Sequence, residues 1–148
     1  MTVIATDGKS MAGDTLATCK GFLMGRHKKV RRLRDGRIVG ASGPTTDCQM
    51  LVRWIEEGGE KPSLGEEVSA IILNPDGTVD WIDYKLEIVE NHELPAAIGC
   101  GGDLAIGAML AGATPYEAVM LVTTRQLDIG GEITVEEIGA PQTLRRVA

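Results

Sequence analysis

The second residue of the chain, Thr2, has a side chain whose position could give it chemistry. A threonine hydroxyl is a weak nucleophile unless a neighbouring base takes its proton. Initiator methionine is commonly removed before a residue as small as threonine, and that removal would leave Thr2 with a free α-amine. Such an amine has a pKa of about 7.7–8.0, so it can act as the base near neutral pH. Thr2 is therefore a candidate N-terminal nucleophile, whereas retention of Met1 would displace the base by one residue.

The cysteines and histidines indicate less chemistry than Thr2. Cys19, Cys48 and Cys100 lie far apart without CxxC spacing, and their odd number does not suit a disulfide framework. We therefore expect reduced, mostly buried thiols. His27 and His92 have no recognisable catalytic partner in the sequence, and no metal-ligand spacing occurs along it.

A basic segment over residues 26–34 holds six of the fifteen lysines and arginines. A nucleic-acid patch is one interpretation, but the segment lacks the aromatic side chains on which bases stack. Alternation along a strand would place Lys29 and Arg31 on the face opposite Arg32. We favour a surface or subunit-contact role for the arginines, with Lys29 turned inward and His27 solvated.

Short turn signals indicate the strands that must position these residues. Asp-Gly supplies the positive φ angles that tight hairpins require, and three such pairs lie between strand-like segments. They predict hairpins around residues 7–8, 35–36 and 76–77. Further strands are predicted over residues 86–89, 96–98 and 132–138.

Capping signals predict three helices, which run from a cap among residues 45–47 to Gly58, from Gly101 to Gly112, and from Thr114 toward Asp128. The third begins with Thr-Pro-Tyr-Glu, a capping box with proline at the first helical position. The order is strands, one helix, strands, two helices and a strand. It favours an α+β fold in which packed sheets have helices outside.

Length and charge exclude several classes of protein. The 148 residues suit a single domain, and the net charge of −6 argues against non-specific nucleic-acid binding. No apolar run approaches the ~20 residues of a membrane span, and the N-terminus lacks the pattern of a signal peptide. We expect one cytoplasmic domain over residues 1–148, with residues 139–148 as a C-terminal tail.

Four motifs follow the Met-Thr start in order: MAGD at 11–14, RHKKVRRLR at 26–34, GASGPTTD at 40–47 and AIGCGGD at 97–103. Together they resemble the N-terminal-nucleophile hydrolases of the proteasome β-subunit type, and the sequence is most similar to the bacterial HslV peptidases among them. The resemblance implies an α+β, four-layer αββα sandwich. It also implies a threonine endopeptidase that acts on peptides or unfolded protein inside homo-oligomeric stacked rings.

The resemblance also assigns catalytic roles. Thr2 would be the nucleophile and its α-amine the general base, directly or through a water. Asp14 ends the MAGD motif and matches the family aspartate, while Lys29 matches the active-site lysine. An ammonium beside Thr2 would favour the deprotonated amine and hydroxyl, and Asp14 would orient that ammonium.

Two further positions complete the implied site. Gly40, or its neighbour Ala41, would present a backbone N–H to the oxyanion of the tetrahedral intermediate. Cys100 occupies the place of a family serine, and a thiol donates weaker hydrogen bonds than a hydroxyl. Cys100 as the nucleophile itself is the poorer alternative.

The segment DIGGEITVEEI resembles the part of the family in which backbone carbonyls hold a monovalent or other cation. This implies a carbonyl site near Gly131, Thr134 and Glu137, and no other cofactor. We interpret Glu136 and Glu137 as exposed charges at a strand end.

Between Gly58 and the strand near Val68 the chain has only GEKPSLGEE, where the family places a second long helix. We therefore expect a reduced outer helical layer, which leaves an ATPase unfoldase partner open. Two alternatives to the peptidase also stay open. One is a non-catalytic, ring-forming structural protein of the same fold, and the other is a small-molecule amidase.

Overall fold

The structure, a computed structural model, describes residues 1–139 and the backbone of residues 143–146. Its strands are β1 Ile4–Thr6, β2 Ser10–Gly13, β3 Leu16–Cys19, β4 Phe22–Arg26, β5 Val30–Arg32, β6 Ile38–Ser42, β7 Ser69–Leu73, β8 Val79–Asp83, β9 Ile88–Val89, β10 Ala96–Ile98, β11 Glu132–Glu137 and β12 Thr143–Arg146. Its helices are α1 Thr45–Glu57, α2 Gly102–Leu110 and α3 Pro115–Thr123.

The first sheet has the strand order β10-β1-β2-β11-β12, and its neighbouring strands are antiparallel. β1 and β2 form the first predicted hairpin, with Thr6 opposite Met11. The Asp7 carboxylate accepts the N–H groups of Lys9 and Ser10 at 2.9 and 3.0 Å. This local bonding closes the turn and sets the register of the strand that carries the MAGD motif.

β12 lies within the segment predicted to be a tail, and it pairs with β11. The tail prediction is therefore wrong for residues 143–146. The other residues beyond Gly139, 140–142 and 147–148, lie outside the described residues.

The second sheet has the order β5-β6-β7-β8-β9, again antiparallel. Its hairpins β5–β6 and β7–β8 are the two predicted at the other Asp-Gly pairs. At the second of these turns, the Asp76 carboxylate accepts from the N–H and hydroxyl of Thr78 at 3.0 and 2.6 Å. The strand predicted over residues 86–89 is shorter than expected, because Leu86 adopts a positive φ of 62° and only β9 follows it.

One hairpin was not predicted. β3 and β4 pair with each other in a separate two-stranded sheet, joined by a turn at Lys20 and Gly21 with φ angles of 51° and 82°. Positive φ at both central residues is the signature of the turn that matches strand twist. Lys-Gly supplies it through the glycine and an unusual lysine conformation, so the Asp-Gly pairs in the sequence do not predict this turn.

The elements stack in four layers, and the cores lie between them. α2 and α3 cover the first sheet with a cluster that includes Val3, Ala105 and Val119. The two sheets pack face to face through a cluster that includes Ile4 and Ile71. On the far side, α1 covers the second sheet through the residues Leu33, Val39, Ala41, Leu51, Val52, Val68, Ala70, Ile72, Ile82 and Leu86.

This αββα order confirms the predicted fold class and the reduced outer layer. Among the residues that the structure describes, α1 is the only helix on its side of the second sheet. No helix in the described part of the chain is long and apolar enough to cross a membrane.

The predicted polar cap of α1 is wrong. The helix begins at Thr45 after Pro44, which caps it with φ −56° and without a side-chain hydrogen bond. Asp47 instead accepts the N–H of Gly65 at 3.3 Å, so it holds the segment that replaces a second helix. The predicted end is confirmed, since Gly58 follows the helix with a positive φ of 70°.

α3 has the capping box that the sequence predicts. The Glu117 N–H donates to the Thr114 hydroxyl at 3.1 Å, and the Thr114 N–H donates to the Glu117 carboxylate at 3.0 Å. The helix ends at Thr123 rather than running toward Asp128. The chain turns back there because Ile129 is buried in the core beneath the helix.

The interpretation of Glu136 as an exposed charge is wrong. Its side chain is 0% exposed and forms an ion pair with Arg32 at 3.3 Å, while Glu137 is exposed as expected. Arg32 also donates to the Glu137 carbonyl. Arg32 therefore joins β5 to β11 across the two sheets, and it is not an independent surface charge.

Replacing Thr114 with alanine removes one half of the capping box. We expect Thr114→Ala to lower the free energy of unfolding by about 1 kcal/mol, measured by urea denaturation. Thr46→Ala is the matched control, because Thr46 is exposed in the first turn of α1 and does not cap it. Equal losses in the two variants would contradict the capping role.

Burial raises the pKa of Glu136 above its ordinary value, although the Arg32 guanidinium opposes this. A carboxyl group with a raised folded-state pKa stabilises the fold most at low pH, and that contribution is lost as the pH rises through the folded-state value. We expect Glu136→Gln to remove the loss of stability that Glu136 causes as the pH rises. The unfolding free energy of the native protein minus that of the variant should fall as the pH rises from 4 to 8. A pH-independent difference would contradict this.

Candidate active site

Thr2 lies at the entry to β1 and is 8% exposed. Its carbonyl accepts the N–H of Gly101 at 3.2 Å and the thiol of Cys100 at 3.6 Å. These bonds come from the loop between β10 and α2, and β10 is the strand paired with β1. The backbone of the candidate nucleophile is therefore held by the AIGCGGD motif.

Gly99 explains why this loop can approach so closely. It has a φ of +90°, and a Cβ atom there would lie 2.2 Å from the Thr2 carbonyl oxygen. No side chain fits that distance, and the backbone conformation is one that L residues rarely adopt. The AIGCGGD motif alone does not distinguish Gly99 from the glycines beside it, so this role was not predicted from the sequence.

Asp14 follows β2 and is buried. Its Oδ1 accepts the N–H of Val3 at 3.2 Å, and its Oδ2 accepts the N–H of Gly130 at 3.3 Å. The Asp14 N–H in turn donates to the Val3 carbonyl at 3.3 Å. Asp14 is thus fixed by β1 on one side and by the loop before β11 on the other.

Lys29 lies just before β5 and turns inward, as the sequence predicts. Its Nζ donates to both Asp14 oxygens at 3.0 Å and to the carbonyls of Met1 and Leu16 at 2.8 Å each. These acceptors surround the ammonium, whose side chain is 12% exposed. Because the Met1 carbonyl belongs to the Met1–Thr2 peptide group, its bond lengths place Lys29 Nζ within about 5 Å of the Thr2 nitrogen.

Burial raises the pKa of Asp14 above its ordinary value, because desolvation disfavours the carboxylate. The ammonium of Lys29 and the N–H groups of Val3 and Gly130 act in the opposite direction. The charged form of Asp14 therefore depends on these partners for its stability, above all on Lys29. The structure brings together three sequence-predicted residues: Thr2, Asp14 and Lys29.

Gly40 lies apart from this cluster. A Cβ there would meet Ile4 at 2.6 Å and Met11 at 3.0 Å, so Gly40 allows the two sheets to approach each other. The Ala41 N–H donates to the Lys29 carbonyl at 3.1 Å. By the alternation of an antiparallel ladder, the N–H of Gly40 then faces β7. Its oxyanion role stays a prediction that this geometry does not favour.

A pocket that is open to solvent lies beside Thr2. Its lining includes Thr2, Ala17, His27, Lys28, Lys29, Arg31, Ala41, Gly43, Thr45, Cys48, Gln49 and Val52. Gly43, in the GASGPTTD motif, is one of several lining residues that were not predicted from the sequence. Its φ of +134° and a 2.9 Å approach of its Cβ position to Val68 require glycine.

Cys48 and Cys100 differ in their surroundings. Cys48 is half-buried in the pocket, where its thiol donates to the Gly43 carbonyl at 3.5 Å, and burial raises its pKa to about 11. Cys100 is exposed, as is Cys19, so the expectation of mostly buried thiols is wrong for these two. All three are unpaired thiols, as expected.

The residues named for a carbonyl cation site do not converge. Gly131, Thr134 and Glu137 follow one another along or beside β11, where a strand advances about 3.3 Å per residue. Thr134 and Glu137 are therefore about 10 Å apart along β11, too far to share an ion. The Glu137 carbonyl also accepts from Arg32. The described residues contain no cluster of three histidine, cysteine or acidic side chains suited to a metal.

Comparison with known proteins agrees with this geometry. A family model described as "Proteasome subunit" matches residues 1–67, which carry Thr2, Asp14 and Lys29. The structure resembles BPH of Thiobacillus denitrificans, solved in complex with epoxomicin, with a TM-score of 0.69 and 19% identity. That match covers 95% of this chain and 100% of that one. The chain has the proteasome-type N-terminal-nucleophile hydrolase fold.

A second solved structure, eukaryotic HslV from Trypanosoma brucei, gives a TM-score of 0.68 and 19% identity. The match covers 91% of this chain and 97% of the Trypanosoma chain. These matches confirm the resemblance that the four motifs indicate. They extend it beyond residue 67, through the loop that holds Thr2 and the strand after Gly130.

Gly99→Ala tests whether this loop positions Thr2. We expect a loss of several kcal/mol of unfolding free energy, because a methyl group would collide with the Thr2 carbonyl at a positive φ. Gly107→Ala is the matched control. No atom lies within 4 Å of its Cβ position, and in α2 that change should stabilise by about 1 kcal/mol. Urea denaturation measures both, and a neutral Gly99→Ala would contradict the packing argument.

Proposed function

We propose that the protein is a threonine-type endopeptidase whose nucleophile is Thr2 after removal of Met1. The observation that carries this proposal is the ammonium of Lys29, which the buried Asp14 holds against the Met1–Thr2 peptide group. Removal of Met1 would leave that ammonium beside a free α-amine and a hydroxyl. This is the environment in which an N-terminal threonine becomes a nucleophile.

The reaction would proceed in two steps. The Thr2 Oγ attacks a substrate carbonyl carbon while the α-amine takes the hydroxyl proton, directly or through a water. The C–N bond of the substrate then breaks as the protonated α-amine of Thr2 gives that proton to the leaving nitrogen. An ester between the substrate acyl group and Thr2 remains. Water attacks the ester, the amine takes a proton from that water, and the carboxylate product leaves with the Thr2 hydroxyl restored.

Lys29 and Asp14 would act together on these proton transfers. A cation beside the α-amine favours its neutral, proton-accepting form, and it also stabilises negative charge that develops on the hydroxyl oxygen. Asp14 would fix the position of that cation. Neither residue would need to exchange a proton during the cycle.

We assign the oxyanion contact to the backbone of Gly43 rather than to Gly40 or Ala41. The Ala41 N–H is bonded to the Lys29 carbonyl, and the ladder turns the Gly40 N–H toward β7. Gly43 follows on the same segment and lines the pocket beside Thr2. Cys100 would help to position Thr2 through its hydrogen bond to the Thr2 carbonyl.

The substrates would be peptides or unfolded protein segments, cleaved inside a homo-oligomeric ring in the cytoplasm, where free thiols stay reduced. The two similar solved structures support the peptidase chemistry through their fold, and one of them is bound to epoxomicin. No cofactor enters the proposed reaction. An ATPase unfoldase is not part of the proposal, because α1 alone covers the outer face within the described residues.

A second candidate is a non-catalytic, ring-forming structural protein of the same fold. The observation that favours it is Cys100, which stands where the family has a serine and reaches the Thr2 carbonyl at 3.6 Å. In this candidate Met1 would be retained, so the α-amine base would never form beside the hydroxyl.

Thr2→Ala should abolish hydrolysis of fluorogenic peptides, because it removes the nucleophile, and it should leave assembly unchanged by size-exclusion chromatography. Thr2→Ser is the matched control and should retain activity, since serine keeps a hydroxyl beside the amine. Intact-mass spectrometry should show the native protein without Met1 and labelled once by a peptide epoxyketone. Such an adduct needs both the hydroxyl and the free amine.

Full activity of Thr2→Ala would overturn the assignment. Quantitative retention of Met1, with no label at Thr2, would favour the structural protein instead.

A further inference from the structure

The pocket beside Thr2 has an uneven distribution of charge. Its lining includes four basic residues, His27, Lys28, Lys29 and Arg31, and no acidic one. The wall formed by α1 is uncharged and consists of Thr45, Cys48, Gln49 and Val52, which share one face of the helix. A substrate side chain that enters this pocket therefore meets neutral walls and cationic groups.

Lys29 is already held by partners of its own. In the protein without Met1, its ammonium keeps the Asp14 carboxylate and the Leu16 carbonyl as partners. Lys28 lines the pocket as well, and its charge also acts to lower the pKa of Glu136. Arg31 is the guanidinium that remains on the pocket face, with a side chain that is 53% exposed.

The partner of Arg31 is weakly held and shared. Glu56 lies 3.8 Å from Arg31 and 3.7 Å from Arg34, so one carboxylate serves two guanidinium groups. Neither distance is that of a close, bidentate pair, which is the arrangement a guanidinium prefers with a carboxylate. A net positive charge is left at the pocket, and a second carboxylate could be bound there.

The remaining walls suit the stem of such a side chain. Ala41 and Val52 are small apolar residues that are largely buried behind the opening. Ala17 borders the pocket from β3. An acidic side chain can lay its methylene carbons against these surfaces while its carboxylate faces Arg31, whereas a lysine side chain would meet like charge.

We propose that this pocket takes the side chain of the residue whose carbonyl Thr2 attacks, and that Arg31 makes acidic residues the preferred ones. This inference rests on the proposed function. It makes Arg31 a specificity-determining residue, and it makes Glu56 a competitor that a substrate carboxylate must displace.

The test measures how fast Thr2 is labelled by two peptide epoxyketones that differ only in the side chain next to the ketone, glutamate or glutamine. The assembled, full-length protein without Met1 is used, and intact-mass spectrometry follows the adduct. We expect the glutamate reagent to react about three- to fivefold faster, as one partly exposed ion pair allows. Raising the salt concentration should reduce that ratio.

Three variants make the test specific. Arg31→Gln should bring the ratio of the two rates close to one. Glu56→Gln should raise it by about two- to threefold, because it frees Arg31 from its competitor. Arg34→Gln is the matched control, since Arg34 shares Glu56 but does not line the pocket, and its 89% exposed side chain lies outside. It should still prefer the glutamate reagent.

The outcomes separate the two proposals. Labelling of Thr2 with equal or faster reaction of the glutamine reagent overturns the acidic preference and leaves the peptidase intact. A preference that persists in Arg31→Gln overturns the role of Arg31. No labelling by either reagent overturns the proposed function, and this inference with it.

Discussion

The buried ion pair between Asp14 and Lys29 is the interaction on which the rest of the site depends. A buried charge that loses its partner costs several kcal/mol, so the surrounding backbone must satisfy both groups at once. Val3 and Gly130 donate N–H groups to the carboxylate, while Leu16 and the residue before Thr2 offer carbonyls to the ammonium. One pair thereby fixes β1, the end of β2, the start of β3, the approach to β5 and the loop before β11. Those are the segments that surround the candidate nucleophile.

A second ion pair holds the other face of the same segment. Arg32 reaches the buried Glu136 on β11, so β5 is held by charge on the face opposite Lys29 as well. Because successive side chains of a strand point in opposite directions, one short basic segment serves both purposes. Lys29 contributes to the site and Arg32 to the contact between the sheets. Arg31 stays on the pocket face, where the proposed selection of acidic substrates would take place.

Local signals in the sequence predicted local structure well. The Asp7 turn and the Thr114 capping box need only residues within a few positions of one another, and both are confirmed. The hairpin at Lys20 was missed because lysine seldom adopts the positive φ that this turn needs. The helix α3 was predicted too long, since the burial of Ile129 is a tertiary contact that no capping signal encodes.

For the site, the residue chemistry of the sequence pointed to Thr2 as a candidate nucleophile. The resemblance of its motifs to a known family pointed to Asp14 and Lys29 as its candidate partners. Tertiary structure decided the features that depend on contacts between segments far apart in the sequence. It set Gly40 between the two sheets, brought Gly43 to the pocket and buried Glu136 against a distant arginine. The reason is physical. A side chain carries its reactive groups wherever it lies. The direction of an N–H, the free energy of burying a charge and the lining of a pocket depend on how the chain packs around them.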